Sequence, residues 1–83
     1  MNYQLIKHEI SSLKKEAEEL RITAEKDVNA IAEDLYVNWD SEAGNAYYKE
    51  ITELKDEMIK TANMLDEAAD RLNALNNQSS SML

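Results

Sequence analysis

YVNWDSEAGNAYY, residues 36–48, decides how this chain folds: it holds the only tryptophan, Trp39, and the only glycine, Gly44, of an 83-residue sequence without proline. Trp39-Asp40-Ser41-Glu42 has the chemistry of a helix start. Asp40 or Ser41 can accept a hydrogen bond from an orphan backbone N–H, and Glu42 suits the positive end of a helix dipole. With Asp40 as the cap, Trp39 precedes it and Gly44 is the fourth helical residue, the spacing of a hydrophobic staple. Glycine costs about 1 kcal/mol in helix propensity there. What it provides is room, because an indole can lie on a backbone that carries no Cβ. The stretch is therefore read as a turn over about 38–41.

Outward from the turn, both sides read as helix. Ala, Leu, Glu and Lys are abundant, and nothing else breaks the pattern. Before the turn, Ile6, Ile10, Leu13, Ala17, Leu20, Ala24, Val28, Ile31 and Leu35 recur at intervals of three or four. After it, Ala43, Tyr47, Ile51, Leu54, Met58, Thr61, Leu65, Ala68, Leu72 and Leu75 do the same. This is the heptad pattern of helices packed along a narrow seam. Each series contains one pair of consecutive fours, Leu20–Ala24–Val28 and Ala43–Tyr47–Ile51. Such stutters locally unwind a supercoil.

The two series also pair. Matching Leu35 with Ala43, Val28 with Ile51, Ala17 with Thr61 and Ile6 with Leu72 keeps the sum of residue numbers at 78 or 79, as one antiparallel register requires. The expected fold is all-α: a helix-turn-helix hairpin over 1–75, with helix 1 about 3–37 and helix 2 about 41–75. The stretch from Asn76, NNQSSSML, loses the pattern and is expected to be a flexible tail over 76–83. Apolar residues beside the seam, namely Leu5, Ile22, Ala32, Ile59, Ala62, Met64 and Ala69, make the stripe wider than two helices need. They are candidate interface residues, and a second hairpin completing a four-helix bundle is the economical partner. Trp39, Gly44, Tyr36, Tyr47 and Tyr48 are candidate turn and partner-contact residues.

Composition narrows the functional classes. Nine Lys and Arg against seventeen Asp and Glu give a net charge of −8, which disfavours nucleic acid and anionic membrane surfaces. No apolar run approaches the roughly 20 residues of a membrane span, so membrane insertion is not expected. MNYQLIKHEI lacks the apolar segment and cleavage site of a signal peptide. There is no cysteine, hence no disulfide or thiolate metal site. His8 is the only histidine; no nucleophile-elbow sequence accompanies it, and no Glu-x-x-His pair is present for a bundle metal centre. Glu33 and Asp34, adjacent on a helix, point about 100° apart and make no acid–base pair. No phosphate-cradling glycine loop exists. The expectation is no catalysis, no cofactor and no metal.

A short chain of two helices with a tryptophan at a central turn resembles the WXG family of small proteins exported by type VII secretion systems. The corresponding segment is Trp39-Asp40-Ser41-Glu42-Ala43, and Ala43 and Tyr47 sit where that family often has alanine and an aromatic. Ser41 occupies the family's glycine position, with Gly44 three residues later. No tyrosine follows Tyr48, and neither Tyr47 nor Tyr48 is followed four residues on by an acid, so the Tyr-x-x-x-Asp/Glu export signal that the family's members often carry after the second helix is missing. With these departures the chain is similar to the small helical partners of LXG toxins. That resemblance implies a targeting or chaperone-like partner of the toxin's helical N-terminal domain, cytoplasmic before the pair is secreted by type VII machinery. The alternatives are a self-associating, secreted WXG-type homodimer and, from another class, a cytosolic coiled-coil scaffold subunit.

Overall fold

The structure, a computed structural model, describes residues 2–39 and 41–81, the side chains of 79–81 excepted. It is the all-α antiparallel hairpin expected from the sequence. The first arm comprises α1 (Tyr3–Ile22), a π-helical segment (Thr23–Val28) and α2 (Asn29–Asn38); the second is a single helix, α3 (Glu42–Ser81). The Cα atoms fill an envelope of 63 × 14 × 12 Å, two helices thick along its whole length. No helix among the described residues is long and apolar enough to cross a membrane.

The first arm is capped at its start by local chemistry. Asn2 Oδ1 accepts from the N–H groups of Gln4 and Leu5 at 3.0 and 3.1 Å, satisfying two orphan donors at the start of α1. The π-helical segment falls where the sequence places Leu20, Ala24 and Val28 four apart. A wider helical turn lets successive fours stay on one face, and Ala24 and Val28 are both buried. The matching stutter in α3, Ala43–Tyr47–Ile51, is met differently. The helix stays α, and the seam passes through Gly44 and Tyr48 instead.

One register runs from end to end. Asn76 Nδ2 donates to the Tyr3 carbonyl at 3.2 Å, so residues whose numbers add to 79 lie opposite each other. Ile10 then faces Ala69 and Ala17 faces Ala62, and all four are buried. On one side of the seam, Lys14–Asp70, Arg21–Asn63, Asn29–Lys55 and Tyr36–Tyr48 contacts all share a sum of 84. The offset does not change along the rod.

The seam in α3 departs from the expected one at six of its ten positions. It runs through Gly44, Tyr48, Ile51, Lys55, Met58, Ala62, Leu65, Ala69, Leu72 and Asn76, alternating fours and threes without interruption. Ala62 replaces Thr61, Ala69 replaces Ala68 and Lys55 replaces Leu54; in the first arm Ala32 replaces Ile31. The physical reason is closeness of approach. Ala17, Ala24, Ala62 and Ala69 are wholly buried, and such small side chains let two helices come near enough to exclude solvent along a narrow line. Lys55 fits by laying its stem in the seam and carrying its ammonium out to Asn29 Oδ1 at 3.3 Å.

The C-terminal stretch also departs from expectation. Helix α3 does not end at residue 75 but continues to Ser81. Asn76 is buried against the first arm, and the Tyr3 hydroxyl donates to Asn77 Oδ1 at 3.3 Å. Polar side chains hold the two arms together there, which an apolar pattern cannot reveal. Met82 and Leu83 lie outside the described residues.

Candidate functional site

The turn is built from backbone outward. Trp39 ends α2 in a conformation neither helical nor extended (φ −131°, ψ 66°), its N–H still bonded to the Leu35 carbonyl at 3.1 Å. Its own carbonyl accepts from the Ser41 N–H at 3.1 Å, reversing the chain. Ser41 caps α3: its Oγ accepts from the Gly44 N–H at 3.0 Å, and its carbonyl receives the Asn45 N–H at 2.9 Å. The other capping residue considered, Asp40, lies outside the described residues. With Ser41 as cap, Gly44 is the third helical residue rather than the fourth and Trp39 stands two residues before the cap, so the pair lies one position out of the frame of the expected hydrophobic staple.

Gly44 is required by a close approach and not by its dihedral angles, since no residue among those described has a positive φ. A Cβ on Gly44 would stand 2.0 Å from the Trp39 carbonyl oxygen and 3.0 Å from the indole Cγ. The indole therefore rests against a bare backbone on one side and stacks on Tyr47 on the other, with ring centroids 5.3 Å apart and planes 22° from parallel. Tyr36 and Tyr48 meet across the arms at 5.6 Å. Together with Glu33 and Val37 they border a shallow pocket of about 220 Å³. All five candidate turn residues thus converge on one end of the rod.

The seven candidate interface residues do not converge. Ala32, Ala62 and Ala69 are buried in the seam between the arms and cannot meet a partner. Leu5, Ile22 and Met64 are exposed but lie apart on different helical faces, and Ile59 is half-buried beside the seam. The surface that the structure leaves open is another one. Tyr47, Leu54, Thr61, Ala68 and Leu75 recur every seven residues immediately beside the α3 seam, and every one is exposed, Leu54 at 45% and Leu75 at 60%.

The opposite flank is closed. There Thr52, Ile59 and Asp66 are all half-buried. Arg21 spans the seam to the Asp66 carboxylate, donates to Asn63 Oδ1 at 2.9 Å and lies 3.7 Å from Glu18. Lys14 Nζ reaches Asp70 at 2.8 Å, and that hydrogen bond holds the Lys14 ammonium above the ordinary lysine pKa. The first arm sets the difference by a seven-residue charge repeat: Lys7, Lys14 and Arg21 line the closed flank, Glu9 and Glu16 the open one. That repeat is visible in the sequence and is the signal by which the open flank could have been found.

Between the arms on the open side runs a groove of about 330 Å³ floored by Leu20 and Leu65 and walled by Glu16, Glu19 and Thr23. Among the described residues, no group of three or more His, Asp or Glu side chains is arranged to hold a metal ion. What the arrangement offers is an unfinished helical seam. The chain matches no protein-family model, no curated protein and no solved structure.

Proposed function

We propose that this chain is a WXG-like helical partner of a larger type VII secretion substrate such as an LXG toxin, acting without catalysis by packing its hairpin against the substrate's helices. The observation that carries this reading is the open column Tyr47–Leu54–Thr61–Ala68–Leu75 beside a seam whose wholly buried side chains are alanines. Burying a leucine fully contributes about 1.5–3 kcal/mol, and this hairpin leaves Leu54 45% and Leu75 60% exposed. Substrate helices packed on the hairpin, one of them seated along that column, complete a four-helix bundle. The Trp39–Gly44 turn, with Tyr47 stacked at the head of the same column, supports the reading by placing a tryptophan at the central turn, although Ser41 stands at the family's glycine position.

The test is co-expression of the chain with the helical N-terminal domain of a toxin-like substrate encoded beside it. The expected result is a stoichiometric complex that melts well above either component and passes through the type VII exporter as a pair. A chain that sediments as a tight dimer and ignores that domain supports the self-associating homodimer instead. A chain that binds neither, and retains its contacts when Trp39 becomes alanine, supports the cytosolic scaffold.

A further inference from the structure

We propose that the open flank docks one amphipathic helix whose apolar stripe is bordered by lysine and arginine. This rests on the reading of the chain as a helix-binding hairpin, and it adds which face is used and what chemistry fills it. The apolar column from Tyr47 to Leu75 is roughly 42 Å long at 1.5 Å per residue, the length of a helix of about 28 residues. A leucine stripe at heptad spacing fits between that column and the half-buried Leu13 and Leu20 of α1.

Charge selects the occupant. Glu9, Glu16 and Glu19 edge the groove from the first arm and Glu50 and Glu57 from α3, all exposed. Among the described residues none of these five enters an ion pair, whereas Lys14 and Arg21 are engaged with Asp70 and Asp66 on the closed flank. An apolar floor with acidic edges is complementary to an apolar stripe with basic edges. A second copy of the chain fits poorly. A two-fold contact would set the same acidic edges against themselves, in two molecules of net charge −8 each.

Two synthetic helices of about 28 residues, sharing one leucine heptad stripe and differing in Lys/Arg or Gln borders, test this by calorimetric titration into the full chain. The basic-bordered helix is expected to bind about tenfold or more tightly than the Gln-bordered one, with the gap narrowing as salt is raised. Leu54→Ser with Leu75→Ser should lose at least that factor, and Asn63→Ser, exposed on the closed flank, should lose none. Both target leucines are exposed, and circular dichroism verifies that each variant remains helical. Equal affinity for the two helices, no binding of either, or loss on Asn63→Ser in place of the leucines overturns the proposal. So does dimerisation of the free chain that Leu54→Ser abolishes. If the substrate domain still binds in the co-expression test while the basic helix does not, this proposal falls and the partner reading stands.

Discussion

The two flanks of one seam are finished to different degrees. On the closed flank, Arg21 and Lys14 reach across to α3 and Ile59 is half-covered. On the open flank, residues one helical position away on the other side of the same seam, Leu54 and Leu75, face water. Both flanks stand beside the same line of buried alanines, so the difference cannot come from the core. It comes from which charges the first arm presents: cations that complement α3 on one side, carboxylates on the other. A hairpin can thus be complete as a fold while one of its sides is incomplete as a surface.

The comparison breaks most readily at the seam that both flanks share. Ala62→Leu inserts a branched side chain where Ala17 and Ala62 lie opposite each other, forcing the arms apart, and should cost about 1–3 kcal/mol. Thermal unfolding followed by circular dichroism checks this, and Leu54→Ala on the open flank serves as the contrasting control.

Gly44→Ala is the next largest. Its methyl group would meet the Trp39 carbonyl oxygen, a backbone atom that cannot step aside as a flexible side chain can. The overpacking outweighs the gain of about 1 kcal/mol in helix propensity when alanine replaces glycine, and a net loss of about 1–2 kcal/mol is expected. Trp39 fluorescence should shift as its stacking on Tyr47 loosens; an unchanged spectrum would show that the turn gives elsewhere.

Arg21→Ala sharpens the contrast by opening the closed flank. Arg21 and Asp66 are each less than a third exposed, and removing the guanidinium leaves a half-buried carboxylate without its partner. About 1–2 kcal/mol should be lost, read from the denaturant midpoint. The smallest effect belongs to Leu75→Ala. In the isolated chain it should change stability by within about 0.5 kcal/mol, because its side chain already stands mostly in solvent. A loss of several times that size would mean the open flank is covered in solution.

The hairpin, its antiparallel register and the position of its turn were legible because each depends on a local or periodic signal. Lone Trp39 and Gly44 mark the reversal, and the constant index sum marks the pairing. The phase of the seam was not legible. Thr61 and Ala62, or Ala68 and Ala69, stand side by side with similar polarity, and choosing between them requires knowing how near the other helix comes. That nearness is a property of both arms at once. The same holds for Ala32, Ala62 and Ala69, which look like spare apolar surface until the closeness of the arms draws them inside. Asn76 escaped notice because it holds the arms by a hydrogen bond to Tyr3 and not by apolar burial. The open flank was legible in part, through the charge repeat of Lys7, Lys14 and Arg21 against Glu9 and Glu16, but only once the seam's phase was known.

The widened turn at Thr23–Val28 has a consequence for chain length. Contact positions run Ala17, Leu20, Ala24 and then Val28, Ala32, Leu35, as though a single surplus residue had been slipped in after Ala24. Excising Glu25, which is exposed, would restore strict alternation of threes and fours and turn the first arm into a continuous α-helix, with Trp39 still meeting the turn in phase. The rod therefore carries an adjustable joint that absorbs a one-residue error without passing it on to either end.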